Sequence, residues 1–287
     1  MSALIQSLLR PALNAPVPPA LPDFQMFRAL WNYRGFVWTS VQREFNSKYR
    51  ESLFGGLWSI AHPLTMIVIY TVIFGQLMKP TLPGHEATAY AFSIHLCAGV
   101  ITWTLFAEML GRLSSVFLEQ GNIIKKSNFP RICLPAIVAI SALINFAIVF
   151  ALYLVFLLVI GHWPGWAMLA LVPLLSLQIL FTSGLGILLG TLNVFFRDVG
   201  QFTSVMLQFW FWLTPIVYTL DAVPETIQRL LKYNPLQPLI AGYQVIFLDK
   251  SMPDFASLWL LALLTVLFLV LGARFFLSRI GELVDEL

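Results

Sequence analysis

Long apolar segments separated by short polar stretches dominate this chain and restrict its fold more than any other feature. A helix needs about 20 apolar residues to cross the hydrocarbon core of a bilayer. Six segments have about that length, at residues 57–78, 90–113, 134–160, 166–192, 202–220 and 255–276. A helix satisfies its own backbone hydrogen bonds in lipid, and the alternating pattern of a barrel strand is missing. We therefore predict an all-α integral membrane protein with six transmembrane helices.

The composition supports the membrane class and excludes a soluble one. Hydrophobic residues make up 59% of the 287 residues and charged residues only 11%, whereas about 25% of the residues of an average soluble protein are charged. A soluble domain of this size could not remove so much apolar surface from water.

The positions of the 17 Lys and Arg residues predict the orientation of the spans. If the N-terminus is cytoplasmic, 13 of them face the cytoplasm and four face outward, namely Lys79, Arg229, Lys232 and Lys250. Cytoplasmic segments of membrane proteins carry the excess of Lys and Arg. We therefore place both termini in the cytoplasm. Residues 1–25 are rich in proline and are predicted to form a flexible leader, and residues 281–287 a short cytoplasmic tail.

Residues 26–53, before the first span, have the pattern of an amphipathic helix. Apolar side chains recur at three- and four-residue steps, and polar residues such as Arg43, Glu44 and Lys48 fall between them. A basic amphipathic helix is suited to lying along the inner membrane surface, which predicts an interface helix. The alternative is a soluble packing helix.

A second segment that is too short to span lies at residues 221–254. Residues 224–233 are predicted to form a short helix with Pro224 in its first turn, Asn234-Pro235 breaks the chain, and residues 236–248 are apolar again. We expect a re-entrant or interfacial hairpin on the outer side. The alternative is a seventh span, against which Arg274 and Arg279 near the C-terminus argue.

The sequence offers little catalytic chemistry. It contains no GxxxxGK[ST] phosphate loop, HExxH or GxSxG motif, and its four histidines are scattered. Cys97 and Cys133 have no metal-ligand spacing and are expected to be core residues. Glu108 precedes Arg112 by one helical turn and is expected to pair with it, a proton relay being the weaker alternative. We predict no catalytic residue, metal or cofactor on this chain, and an energy source on another chain.

Aromatic residues make up 14% of the chain, and several lie within the apolar segments. The consecutive Phe209, Trp210, Phe211 and Trp212 must point around most of their helix, so some of them face neighbours or a pore. Aromatic faces bind the apolar faces of sugar rings, although packing against lipid is the more common role. Residues 186–190 form a GxxxG pair, which permits close helix contact within or between subunits.

Four motifs carry a resemblance to a known family. They are REFNSKYRESLFGGLWSIAHPL (43–64), KKSNFPRICLP (125–135), NVFFRDVGQF (193–202) and YNPLQPLIAGYQ (233–244). With the predicted topology, the chain resembles the transmembrane subunit of type-2 ABC exporters for bacterial polysaccharides, the O-antigen, capsule and teichoic-acid permeases. The resemblance covers about residues 28–280 and implies an ABC-2 type six-helix transmembrane domain at 54–280.

The resemblance implies a homodimer that works with two copies of a separate ATPase, which holds the ATP and Mg. The implied ATPase-coupling residues are Lys125, Lys126, Phe129, Pro130, Arg131, Arg43 and Lys48. The implied outer gate contains Pro224, Ile227, Asn234, Pro235 and Tyr243. The implied glycan path contains Tyr70, Phe74, Trp103, Phe106, Phe202, Phe209, Trp210, Trp212 and Tyr218.

The resemblance also implies a function: the permease of an ATP-driven exporter of lipid-linked polysaccharide, most of all O-antigen, across the bacterial inner membrane during lipopolysaccharide biosynthesis. One alternative is an ABC-2 permease for drugs, haem or lipids, in which the YNPLQP and FPR motifs are not expected in this form. Another alternative is a membrane-embedded acyl- or glycosyltransferase, which needs a cluster of His, Asp or Glu near one membrane face. The acids that this chain is predicted to place on the outer side have no accompanying His; they are Asp221, Glu225, Asp249 and Asp254. The last alternative is a membrane subunit with a purely structural role.

Overall fold

The computed structural model of the chain describes residues 30–49, 58–73, 82, 90–126, 129–220, 223–279 and 281–285. Within these ranges the regular elements are helices. In chain order they are α1 (Arg34–Tyr49), α2 (Trp58–Val72), α3 (Ala91–Glu119), α4 (Gly121–Lys126), α5 (Cys133–Val159), α6 (Leu171–Phe195), α7 (Asp198–Trp212), α8 (Glu225–Leu231), α9 (Leu236–Leu248), α10 (Trp259–Arg279) and α11 (Glu282–Asp285). Short 3-10 helices precede α6 (Gly165–Ala170) and α10 (Phe255–Leu258). The predicted leader lies outside the described residues.

Four helices of the described chain are long and apolar enough to cross a membrane: α3, α5, and α6 and α10 with their 3-10 helices. They coincide with the second, third, fourth and sixth predicted spans. The predicted all-α membrane class is confirmed, and the protein is multi-pass. α2 is a shorter apolar helix at the first predicted span, of which residues 57 and 74–78 lie outside the described ranges. The total of six spans and the placement of both termini in the cytoplasm remain predictions.

α7 ends earlier than the fifth predicted span. The helix begins at Asp198 and ends at Trp212, so the predicted boundary at Leu220 is wrong. Pro215 has no backbone N–H to donate, and its ring disfavours the helical conformation at Thr214. With 15 residues, α7 is about 22 Å long.

α3 is the central helix of the bundle. It lies against α5, α6, α7 and α9. In its most apolar stretch 67% of the residues are buried, compared with 17% in α5 and 22% in α10. α5 and α10 therefore turn most of their apolar surface outward, which is typical of helices that face lipid.

Glycines allow α6 to approach two neighbours closely. Gly186 and Gly190 both face Leu113 of α3, and a Cβ on Gly190 would lie 2.3 Å from the Leu113 carbonyl oxygen. On the α10 side, a Cβ on Gly272 would lie 2.6 Å from the Gly184 carbonyl oxygen. The GxxxG pair therefore packs within the subunit, one of the two possibilities that the sequence left open, whereas the contact of Gly184 with Gly272 was not predicted.

α8 and α9 are the two helices of the segment predicted as a hairpin, and their environments differ; the outer placement of this segment stays a prediction. α9 begins at Leu236 and ends at Leu248, as predicted, and packs against α3 and α6. Pro224 lies directly before α8 rather than in its first turn. In α8, whose seven residues are all described, Leu231 alone is buried. One arm of the hairpin thus belongs to the core, and the other is exposed.

We expect Gly190→Ala to destabilise the protein, because the added methyl group overlaps a backbone oxygen that cannot turn aside. Overpacking costs up to about 3 kcal/mol, which exceeds the gain of about 1 kcal/mol from replacing a helical glycine by alanine. The measurement is thermal unfolding of the full-length protein in detergent.

Gly111→Ala is the matched control, because a Cβ at Gly111 of α3 would meet Leu207 Cδ1 at an ordinary 3.9 Å. This variant is expected to keep or raise the unfolding midpoint. Equal midpoints for the two variants would contradict the close contact of α3 with α6.

Candidate functional site

Charged and polar side chains join α1, α3 and α5 in a polar cluster that consists of Glu44, Glu108, Arg112, Ser141 and Asn145. Arg112 Nη2 donates to Glu44 Oε1 at 2.5 Å, and Arg112 Nη1 lies 3.6 Å from Glu108 Oε1. Ser141 Oγ donates to Glu44 Oε2 at 3.0 Å, and Asn145 Nδ2 donates to Glu108 Oε1 at 2.6 Å. One arginine therefore binds acids of two helices, and each acid has a further donor from α5.

The predicted pairing of Glu108 with Arg112 is confirmed, whereas the role of Glu44 was missed. The sequence places Glu44 on the polar face of the interface helix, but its carboxylate binds Arg112 instead. Val37 and Val41 of α1 are buried, and Glu44 follows at the i+7 position of the same helical stripe. That spacing predicts on which side of α1 the Glu44 side chain lies. It does not predict the partner, Arg112, which is 68 residues away in the sequence and is brought close by tertiary packing.

A cleft of about 490 Å³ opens beside the polar cluster, between α1 on one side and α3 and α5 on the other. Two positively charged residues, Arg43 and Arg112, and two negatively charged residues, Glu44 and Glu119, line the cleft. The other lining residues are apolar or uncharged. This balance selects neither for an anion nor for a cation.

The two segments implied in ATPase coupling lie together at this end of α3. The Phe36 ring of α1 and the Phe129 ring after α4 have centroids 5.0 Å apart. Pro130 accepts a hydrogen bond from the Cys133 backbone N–H at 2.9 Å, which fixes the turn into α5. Lys125 is exposed.

The other coupling residues are described only in part. Arg43 is exposed and Arg131 is half-buried, while the side chains of Lys48 and Lys126 lie outside what the structure describes. The coupling role of all these residues stays a prediction.

Part of the predicted glycan path is packed inside the subunit. Trp103 and Phe106 of α3 are 7% and 2% exposed. The Trp103 ring lies edge-on to Phe211 at 5.6 Å between centroids, and the Phe106 ring lies edge-on to Trp210 at 5.3 Å. Phe106 also stacks on Phe181 of α6 at 6.1 Å. These rings join α3, α6 and α7 into one aromatic core.

The remaining predicted path residues on α7 are exposed. Phe202, Phe209 and Trp212 are 61%, 68% and 64% exposed, and we call them the α7 aromatic face. Tyr218, after α7, donates its hydroxyl to the Trp212 carbonyl oxygen at 2.9 Å. Tyr70 on α2 is half-buried, and Phe74 lies outside the described residues. The four consecutive aromatics thus point both inward and outward, as predicted.

The predicted gate residues occupy both arms of the hairpin and the link between them. Ile227 of α8 is 46% exposed. Tyr243 of α9 is buried, and its hydroxyl donates to Gln178 Oε1 of α6 at 3.1 Å. Asn234 and Pro235 lie between the arms, where Asn234 hydrogen-bonds to the end of α7. Pro224 precedes α8 and is exposed.

Throughout the described ranges, no three His, Cys, Asp or Glu side chains gather closely enough to hold a metal ion. Cys97 and Cys133 are buried free thiols, as predicted for core residues. Fold and contacts define a multi-pass helical membrane protein with a polar cluster at one end of α3, an aromatic core further along it, and an exposed aromatic face on α7.

The sequence profile of the ABC-2 type transporter family matches residues 36–248. The chain belongs to this family. Its relatives are named as permease and transport proteins, so membership identifies it as a transporter membrane subunit rather than an enzyme.

Three relatives illustrate the family likeness. The chain is 30% identical to the O-antigen export system permease protein RfbA of Myxococcus xanthus, over 92% of this chain and 99% of that protein. It is 32% identical to a protein of the same name from Klebsiella pneumoniae, over 73% of this chain and 78% of the relative. It is 23% identical to the polysialic acid transport protein KpsM of Escherichia coli, over 83% and 90% of the two chains.

The ion pair of Glu44 with Arg112 is expected to stabilise the packing of α1. Because both side chains are partly exposed, at 39% and 30%, we expect a coupling energy of only about 1 kcal/mol. The measurement is a double-mutant cycle of Glu44→Gln and Arg112→Gln on the unfolding free energy in detergent.

The pair of Glu225 with Arg229 on α8 is the control for that cycle. Its side chains are 87% and 79% exposed, so its cycle with the same substitutions is expected to give a coupling close to zero. If the two cycles gave the same coupling, the polar cluster would contribute nothing beyond a surface ion pair.

Proposed function

We propose that the chain is the permease subunit of an ATP-driven exporter of lipid-linked polysaccharide, with O-antigen as the first candidate, across the bacterial inner membrane. The observation that carries the proposal is the likeness to the O-antigen export permease of Myxococcus xanthus, which extends over 92% of this chain and 99% of that protein. That likeness extends beyond the family-matched region. It supports a polysaccharide as cargo over drugs, haem or lipids.

We assign the energy source to a separate ATPase, because the sequence contains no phosphate loop. Each permease subunit of a homodimer would carry one copy of this ATPase, and the two ATPase copies would bind ATP and Mg. The docking surface we propose is formed by α1, α4 and the residues after it. The contact of Phe36 with Phe129 supports a single surface made from both segments.

We place the glycan path between the two copies of the permease, along the α7 aromatic face and α2. Apolar surface of this extent on one side of a subunit has to be covered by lipid or by another subunit. Aromatic rings offer sugars many weak and similar contacts, so a repeating polymer can slide without a deep trap. A path with strong charges would hold the polymer too tightly.

The mechanism begins with closure of the ATPase dimer on ATP binding. The movement displaces α1, and the polar cluster passes the displacement to α3 through Arg112. The aromatic core connects α3 to α7, because Trp103 and Phe106 pack on Phe211 and Trp210. Displacement of α7 then widens the path between the two copies.

Deletion of the gene in its host tests the cargo. We expect polysaccharide to disappear from the cell surface and to accumulate in the cytoplasm, and the gene on a plasmid to restore the surface polymer. Unchanged surface polysaccharide would contradict the proposal and would favour a drug, haem or lipid cargo.

Removal of the α7 aromatic face is expected to impair export without stopping the ATPase. Each ring contributes about 0.5–1.5 kcal/mol of contact energy, so the triple variant Phe202→Ala, Phe209→Ala and Trp212→Ala should lower the export rate tenfold or more. ATP hydrolysis by the purified complex should change less than twofold. The measurements are surface glycan per unit time in the deletion strain and phosphate release in detergent.

The control triple variant replaces exposed aromatics elsewhere, namely Trp166, Phe255 and Trp259, by alanine. These rings are 84%, 47% and 65% exposed and lie at or just before the starts of α6 and α10, not on α7 or α2. We expect near-normal export from this variant. Equal loss in both triple variants would argue against α7 as the path.

A further inference from the structure

The side-chain amide of Asn234 makes four hydrogen bonds where the chain passes from α8 to α9. Its Oδ1 accepts from Trp210 Nε1 at 2.9 Å and from the Leu236 backbone N–H at 3.1 Å. Its Nδ2 donates to the Leu213 carbonyl oxygen at 3.0 Å and to Thr214 Oγ1 at 2.9 Å. An amide oxygen has two lone pairs and an amide nitrogen two protons, so the hydrogen-bonding capacity of the group is filled.

Three of these bonds go to α7 or to the residues directly after it. The Leu213 carbonyl is one of the groups that the end of a helix leaves without an intrahelical partner, and Asn234 supplies that partner. The ring of Trp210 also packs edge-on against Phe106 of α3, at 5.3 Å between centroids. The same indole therefore contacts the aromatic core with its ring and the hairpin with its N–H.

The two arms of the hairpin are held with different strength. In α9, Tyr243 donates to Gln178 Oε1 at 3.1 Å, and Gln178 Nε2 donates to the Thr102 carbonyl oxygen at 2.9 Å, so one buried chain of hydrogen bonds ties α9 to α6 and α3. In α8, Leu230 is 65% exposed and Leu231 alone is buried. The α9 arm is fixed to the core, while the last residue of α8, Leu231, accepts a hydrogen bond from the Asn234 backbone N–H at 3.0 Å.

We propose that Asn234 is a positioning residue for the export step, because through Trp210 it fixes the α8 arm to the end of α7. When α7 shifts, the end of α8 follows it through Asn234. The outer opening of the path is then set by the position of α7. The inference rests on the proposed function, since export is the step that this connection serves.

A purely local role for Asn234 predicts a different outcome. The bond from the Leu236 N–H to Asn234 Oδ1 is an Asx turn, which serves only to start α9. Trp210→Phe keeps this turn and an aromatic ring at position 210, and removes the indole N–H together with the five-membered ring that carries it. The variant therefore separates the connection to α7 from the local turn.

The experiment uses the full chain with its ATPase. Spin labels are attached at Leu230→Cys in α8 and at Met252→Cys after α9, both of which are exposed, whereas the native Cys97 and Cys133 are buried. α9 lies between the two labelled positions in the chain and is about 20 Å long, a distance that pulsed dipolar spectroscopy can measure. Surface glycan and ATP turnover are measured for the same variants in the deletion strain and in detergent.

We expect Trp210→Phe to raise the population of displaced α8 about fivefold, which is the factor that corresponds to one hydrogen bond of about 1 kcal/mol. The export rate should fall by a similar factor, with ATP turnover within twofold of the parent. Thr214→Val, which removes another bond of Asn234, should act in the same direction. Trp166→Phe is the control, because Trp166 is 84% exposed and lies before α6.

If both Trp210→Phe and Thr214→Val gave the distance distribution and export rate of Trp166→Phe, the proposal would be overturned and Asn234 would be a local turn residue. If the parent failed to export glycan in the deletion strain, the proposed function would be wrong instead. The distance measurements would still decide whether Asn234 ties α8 to α7, since they need no cargo.

Discussion

Close backbone contact around α6 is the constraint on which the rest of the structure depends. Helices in lipid gain little from covering apolar side chains, because the lipid is equally apolar. They associate by van der Waals packing, which is strongest where small residues let backbones meet. Gly190 provides such a contact with α3, and Gly184 with Gly272 provides it with α10. The other elements are positioned on this unit of three helices.

α3 connects two chemically different regions of that unit. Arg112 and Trp103 lie on the same helix, about 14 Å apart along its axis at 1.5 Å per residue. Around Arg112 the contacts are charged and directional, and they reach the interface helix. Around Trp103 they are aromatic, and they reach α7. The helix α3 itself thus joins the contacts beside the segment where an ATPase would dock to those beside the face where a sugar polymer would pass.

Much of the fold could be predicted from the sequence, because membrane-spanning length and apolar content are local properties. The second, third, fourth and sixth spans and the bounds of α9 follow from them. The end of α7 was missed although Pro215 marks it, because the apolar run continues past the proline. Hydropathy does not record a missing backbone donor.

The candidate site could be predicted less well. The pair of Glu108 with Arg112 is one helical turn apart and was found, whereas Glu44 and the bonds of Asn234 join segments that are distant in sequence. Trp103 and Phe106 share the composition of the α7 aromatic face but lie in the core. Which ring faces inward is decided by tertiary packing, which a single sequence does not display.

The polar cluster also limits how α1 can move. Arg112 and Ser141 hold this 16-residue helix from the side through one residue, Glu44. A slide of α1 by one turn, about 5.4 Å, would break both bonds. Any movement of α1 that keeps them has to carry Arg112 and Ser141 along, and with them the helices α3 and α5 to which they belong.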